Sequence, residues 1–346
     1  MSNFGLKIIN QNGPDTMLDS SCTMCCILGI CDSYPKKTGI YVPYGYEYYV
    51  HYTNGCDFNF KYIEDADTGP GTGLSGVCDA ASYLDENRQV ILTKGEHSCG
   101  ESDYYDTLCI VIGYPLHSPV NGMGISFTGG NNFFSINDAS LCAPVVFKGE
   151  VTLLPDNNGW SPESINPLLN FKNSVVFVYC DNPNISIGIF RLRRYDQNRG
   201  IYAFDANGNA YKNKVKIKVV VFSKQLIKKS QYGLQIFNNN GNPVYDSSSG
   251  VLINPQMYSF GRIRMRQFVA IPDIKRPMFI PTSIGGSVDL DHYSGDVKLV
   301  GLSSNGFCLA PSFTCLNYLK WTVRSKAFFI SGRPIMVLDA ENYFKF

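Results

Sequence analysis

One motif occurs three times along the chain. Gly5-Leu-Lys-Ile-Ile-Asn-Gln-Asn-Gly13 runs on to Asp19-Ser-Ser, Gly124-Ile-Ser-Phe-Thr-Gly-Gly-Asn-Asn132 to Asp138-Ala-Ser, and Gly233-Leu-Gln-Ile-Phe-Asn-Asn-Asn-Gly241 to Asp246-Ser-Ser. The starts are 119 and 109 residues apart, and 114 residues remain from the third start to Phe346. A spacing near that value is the size of a small domain, so the repeat predicts three related units. Within each copy an alternating apolar run (Leu6, Ile8; Ile125, Phe127; Leu234, Ile236) has the period of a half-buried strand. The Asn and Gly cluster that follows tolerates positive φ and closes a tight turn. A second apolar run (Met17, Leu18; Phe133, Phe134, Ile136; Val244, Tyr245) then returns antiparallel. The outer copies match each other more closely than either matches the middle one, where Gly129-Gly130 interrupts the Asn cluster.

Strand-like apolar runs flank the motif at Leu108–Tyr114, Val215–Phe222 and Phe328–Leu338. Aromatic residues make up 13% of the 346 and charged residues only 17%, a balance that favours pleated sheets over helices. Only Ser161–Leu169 and Gly76–Leu84 have the composition of a short helical turn. The expected fold is therefore all-β, as tandem β-sandwich modules of immunoglobulin or fibronectin type, divided as 1–120, 121–230 and 231–346. Charge is uneven across this division. Residues 1–120 carry 6 Lys and Arg against 15 Asp and Glu, and residues 121–346 carry 24 against 14. Such a split favours distinct partners, or head-to-tail contacts, for the two parts.

Few residues carry a chemical signature. Eight of the twelve cysteines lie before residue 120: Cys22, Cys25, Cys26, Cys31, Cys56, Cys78, Cys99 and Cys109. Cys22-x-x-Cys25 has knuckle spacing, with His51 and His97 in the same segment, but no second pair follows and the surrounding sequence is apolar. Packed core thiols are the first expectation, disulfides the second and a metal site the third. Gly71-x-Gly73-x-x-Gly76 follows an acidic turn instead of a buried strand, so it reads as a loop and not a dinucleotide site. Asp65-x-Asp67-x-Gly69 and Asp289-x-Asp291 lack a full calcium ligand set. His51, His97, His117 and His292 are scattered, and no nucleophile elbow is present. No cofactor and no metal are expected. Lys212, Lys214, Lys216 and Lys218, and Arg262, Arg264 and Arg266, alternate as the solvated face of a strand would, without a nucleic-acid-binding module around them.

Tyrosine is the better functional signal. Tyr34, Tyr41, Tyr44, Tyr46, Tyr48, Tyr49, Tyr52 and Tyr62 crowd one segment. Alternation along a strand places some of these rings outside the core, where rigid aromatic area suits contact with a sugar or protein. Cross-strand pairing that stabilises a sheet is the competing role. Tyr44, Tyr46 and Tyr48 are the candidate ligand-contacting residues.

The Gly-Leu-x-Ile-x-Asn-x-x-Gly…Asp-Ser pattern at Gly5–Ser21 and Gly233–Ser248, and more loosely at Gly124–Ser140, resembles a hairpin motif of tail proteins of long-tailed bacteriophages. The resemblance implies a non-enzymatic virion protein of the tail, tail tip or tail fibre, assembled in the host cytoplasm. It implies partners among copies of the chain and neighbouring tail proteins, with no nucleic acid and no membrane insertion. It carries over no catalytic residue. Met1-Ser-Asn-Phe-Gly leads directly into the first strand without a secretory signal, and no apolar run has transmembrane length. Recognition of a host-surface glycan or protein through the tyrosine-rich loops is the alternative, and a carbohydrate-active virion enzyme a more distant one.

Overall fold

The computed structural model describes residues 5–8, 14–19, 22, 24–31, 37–54, 56–65, 69–94, 107–116, 124–129, 132–137, 143–155, 159–190, 199–224, 233–237, 241, 243–291, 294–315, 320–321 and 327–346. These residues form an all-β structure of antiparallel sheets, interrupted by single 3-10 turns at Pro162–Ser164 and Ala340–Asn342. The first turn falls within the stretch 161–169 expected to turn. The stretch 76–84 instead belongs to the long strand Gly69–Leu84. That strand also absorbs Gly71, Gly73 and Gly76, so the expected glycine loop is a strand paired with Cys56–Asp65.

Two large sheets build the centre. One runs in the order Val145–Leu153, Val215–Ser223, Ser174–Tyr179, Pro277–Phe279, Pro334–Asp339, Gln256–Ser259. The other runs Gly200–Phe204, Ser186–Phe190, Ser294–Ser304, Gly285–Asp291, Ala327–Ile330, with Leu309–Cys315 and Lys320–Trp321 also paired to Ser294–Ser304. They face each other across a core that includes Val176, Val178, Val219 and Val337 on one side and Ile187, Ile201, Val300 and Leu302 on the other. Each sheet joins a block of strands from 121–230 to a block from 231–346. Pairing of Ser174–Tyr179 with Pro277–Phe279, and of Ser186–Phe190 with Ser294–Ser304, joins the two segments across the boundary expected near residue 230. These pairings satisfy backbone hydrogen bonds between segments distant in sequence.

The six-stranded sheet is covered on both faces. Alternation sends Val176 and Val178 into the sandwich, and Val175, Phe177 and Tyr179 to the opposite side. There they meet Cys25, Ile27, Ile110 and Ile112 from a three-stranded sheet ordered Cys26–Cys31, Cys109–Pro115, Tyr46–Tyr52. Double coverage explains the unbroken apolar runs of Ser174–Tyr179 and of residues 219–222. Lys216 is exposed, as alternation predicts, and pairs with Glu150 at 2.9 Å. The Arg262–Arg266 alternation, in contrast, falls in turns outside any strand, and Arg266 has a φ of 62°. Beyond the three-stranded sheet lies a fourth layer, the sheet of Cys56–Asp65, Gly69–Leu84 and Val90–Lys94. Ala80, Val90 and Leu92 of that layer pack on Cys31, Val50, Tyr52 and Cys109.

All three motif copies form antiparallel hairpins: Gly5–Ile8 with Thr16–Asp19, Gly124–Gly129 with Asn132–Asn137, and Gln235–Phe237 with Pro243–Asp246. Leu6, Ile8 and Leu18 of the first share a core with Leu234, Ile236 and Tyr245 of the third. The strand Asn132–Asn137 of the second lies near Thr16–Asp19 of the first. The segments leaving the hairpins also run side by side. Leu252 N donates to Ala143 O at 3.0 Å, and Cys25 N donates to Leu252 O at 3.3 Å. The repeat thus marks three hairpins gathered at one place.

The third copy shows what its fixed residues do. Asp246 is buried; its Oδ1 accepts from Ser248 N at 2.8 Å and Ser248 Oγ at 2.6 Å, and its Oδ2 from Gln235 Nε2 at 2.8 Å. Ser247 Oγ accepts from Leu234 N at 3.0 Å. Gly233 has a φ of 112°, and a Cβ there would stand 2.5 Å from Ser247 Oγ. The opening Gly and closing Asp-Ser-Ser therefore lock the two ends of the hairpin together.

Candidate functional site: a braced tyrosine loop

Residues 37–45 cross the outer layers as a loop with a single β-bridge, Tyr41 to Gln89, and the sheet beside it supplies its hydrogen bonds. Thr38 Oγ1 donates to Val90 O at 2.8 Å, Val90 N donates to Ile40 O at 2.9 Å, and Val42 N donates to Arg88 O at 2.9 Å. The brace is Arg88. It occupies a tight turn with a φ of 62°, set by Asp85, whose Oδ1 accepts from Asn87 N at 3.0 Å and Gln89 N at 2.8 Å. From that turn the Arg88 guanidinium reaches back across the loop. Its Nε donates to Val42 O at 2.9 Å, and its Nη2 to Pro43 O at 3.3 Å and Tyr46 O at 2.9 Å. A charged, planar donor spanning three carbonyls fixes the loop more firmly than neutral contacts would.

The rings held by this frame point to solvent. Tyr44 is 88% exposed and Tyr41 58%. The Arg88 guanidinium stands 5.3 Å from the centre of the Tyr44 ring. Gly45, with a φ of 79°, makes the turn after Tyr44, and its carbonyl accepts from Leu116 N at 2.7 Å. Leu116 is itself exposed. Tyr44, Tyr46 and Tyr48 are not equivalent. Tyr46 and Tyr48 are half-buried and pack on the cluster around Val50 and Cys109, so they support the loop from beneath. Tyr49 faces the other way, toward the core beneath the six-stranded sheet, and its hydroxyl donates to Pro334 O. Tyr41 and Arg88 complete the site. Tyr41 was visible in the tyrosine cluster, but the role of Arg88 had no sequence signal, because its partners lie more than forty residues away.

A second exposed aromatic group is engaged internally. Arg276 lies 4.2 Å from the centre of the Phe346 ring and 4.9 Å from that of Phe307, and donates to the Tyr179 hydroxyl at 3.1 Å. This stack fastens the last residues of the chain to the six-stranded sheet.

The described cysteines act as packing residues. Cys22 enters the hairpin core while Cys25 enters the core beneath the six-stranded sheet, so the Cys-x-x-Cys pair is split between two clusters. Burial pushes the Cys26 and Cys180 thiols up to about 11 and holds Cys25 well above its usual range, which keeps them protonated and poorly nucleophilic. Among the described residues, no three His, Cys, Asp or Glu side chains converge. His97, His117, His292, Cys99 and Asp67 lie outside the described residues. Among the described residues, no helix is long and apolar enough to cross a membrane.

Fold and site together define a layered all-β protein that presents a braced, solvent-exposed tyrosine loop. The chain belongs to a family of unknown function, DUF6453, whose profile matches residues 82–309. The match begins within the strand that leads to the Arg88 turn and leaves Tyr41 and Tyr44 outside it. No curated protein and no solved structure matches the chain.

Proposed function

We propose that the protein is a non-catalytic structural component of a bacteriophage tail, tail tip or tail fibre. In this reading it assembles in the host cytoplasm with copies of itself and with neighbouring tail proteins. The observation that carries the reading is the loop around Tyr44: a nearly fully exposed ring on a backbone fixed by three guanidinium hydrogen bonds. A rigid aromatic anchor loses little conformational freedom on docking, which is how contact residues gain affinity. The hairpin motif and the layered sheets agree with a building role. The test is location. Purified particles of the phage that encodes the chain should contain it in stoichiometric amount, with antibody label on the tail. Its absence from washed particles, with the protein left in the lysate, overturns the proposal.

The same loop supports a second reading, recognition of a host-surface glycan or protein. The exposed Tyr44 ring favours it because a ring available to a tail protein is equally available to a receptor. Isolated protein that binds host cells, and loses that binding on Tyr44→Ala, would select this reading; a Tyr44→Ala effect on particle assembly alone would select the first.

A further inference from the structure

A small cleft, open to solvent on one side, lies at the seam between the strand Tyr46–Tyr52 and residues 282–284 and 331–335 of the sandwich. Backbone contacts close the seam around it. Ser283 N donates to Thr53 O at 2.7 Å, and Thr282 Oγ1 donates to Tyr52 O at 2.9 Å. His51 lines the cleft and is 1% exposed, yet neither ring nitrogen has a hydrogen-bond partner among the described residues. The buried Ser283 hydroxyl is equally without one. Arg333 also lines the cleft. Its guanidinium lies 4.9 Å from the centre of the Tyr52 ring, and no carboxylate pairs with it among the described residues.

Unsatisfied polar groups at this depth carry a desolvation cost, and two together beside a cation with no carboxylate partner among the described residues are rare without an occupant. The groups offered include three donors, a guanidinium, a hydroxyl and one imidazole N–H, with the second imidazole nitrogen left as an acceptor. Burial keeps His51 neutral, with its pKa down at about 3, so the fixed charge of the lining is the single positive charge of Arg333. One negative charge balances it. The flat fork of the guanidinium matches a planar carboxylate, whereas a phosphate dianion would bring a second charge with no cation to meet it. The cleft is too small for a whole sugar or peptide and admits a head group whose remainder stays in solvent.

We propose that this cleft binds a carboxylate head group, held by the Arg333 guanidinium together with the His51 imidazole and the Ser283 hydroxyl. The carboxylate belongs either to a small organic acid or to an acidic sugar such as a uronic acid. The site is separate from the tyrosine loop and does not depend on the tail assignment.

The test is a titration of the ¹⁵N-labelled full-length protein, following the His51 imidazole nitrogens by NMR at constant ionic strength. Acetate and glucuronate are the two probes, and phosphate is the control. A saturable His51 shift with millimolar affinity is expected with at least one carboxylate. Both probes binding identifies the head group as sufficient; glucuronate alone identifies the acidic sugar. Arg333→Gln should weaken binding by about tenfold or more while the thermal melt stays cooperative. Should that variant fail to fold, Ser283→Ala provides the same comparison with a smaller loss. No saturable shift up to about 100 mM of either probe, tighter binding of phosphate, or unchanged affinity in both variants overturns the proposal.

Discussion

Single residues in this chain have roles that their type alone does not announce. Gly233 and Ser247 touch because the hairpin ends close on each other, so Gly233→Ala introduces both a disfavoured φ and a clash. A loss of about 2 kcal/mol in urea unfolding is expected, with an unchanged dependence on denaturant concentration. His51 sets a pH dependence. Its folded pKa of about 3 lies below the usual value near 6.5, so between those values the unfolded chain binds the extra proton. The stability contributed by neutral His51 is therefore complete above pH 6.5 and is lost as the pH falls toward 3, by about 5 kcal/mol at the limit. The charged or titratable groups that line its cleft are Tyr49, Tyr52 and Arg333. His51→Leu should flatten the fall in melting temperature between pH 7 and pH 4 relative to the unsubstituted protein; parallel curves would contradict the assignment.

At the scale of elements, the motif hairpins were legible because their alternation and turn chemistry are local. The two strands of each copy pair antiparallel, as that alternation predicts. The long pairing of Cys56–Asp65 with Gly69–Leu84 was not legible, since Gly71, Gly73 and Gly76 weaken every local strand signal and the partner strand supplies the order. Part of the site was visible and part was not. Tyr44 stood out as one tyrosine among many, but whether it or Tyr48 faces solvent depends on which layer covers the strand. The meeting of the first and third hairpins was also hidden, because the contact spans more than two hundred residues. It predicts energetic coupling. Leu18→Ala and Tyr245→Ala should each cost about 3 kcal/mol, and the double variant should depart from their sum by about 1 kcal/mol. Strict additivity in chemical denaturation would mean that the two hairpins do not share a core.

For the whole molecule, the sheet order decides what can fold alone. The segment 121–230 supplies three strands of the six-stranded sheet, and the remaining three come from beyond residue 230. Expressed separately, residues 1–228 and 229–346 should each lack a cooperative melt, whereas the two mixed during refolding should recover one. A cooperative transition in either half alone would restore the division at 230. Connections of this length between paired strands also predict slow folding, since loops must close before pairing is rewarded.

The six-stranded sheet, apolar on both sides, acts as a partition. Phe177 and Val178 are chain neighbours, yet one belongs to the compartment shared with the outer layers and the other to the sandwich. A change of volume at one falls mainly on a different set of neighbours from a change at the other. The two compartments can therefore drift in sequence largely apart, so the outer face that carries the tyrosine loop can change shape while the sandwich behind it keeps its packing.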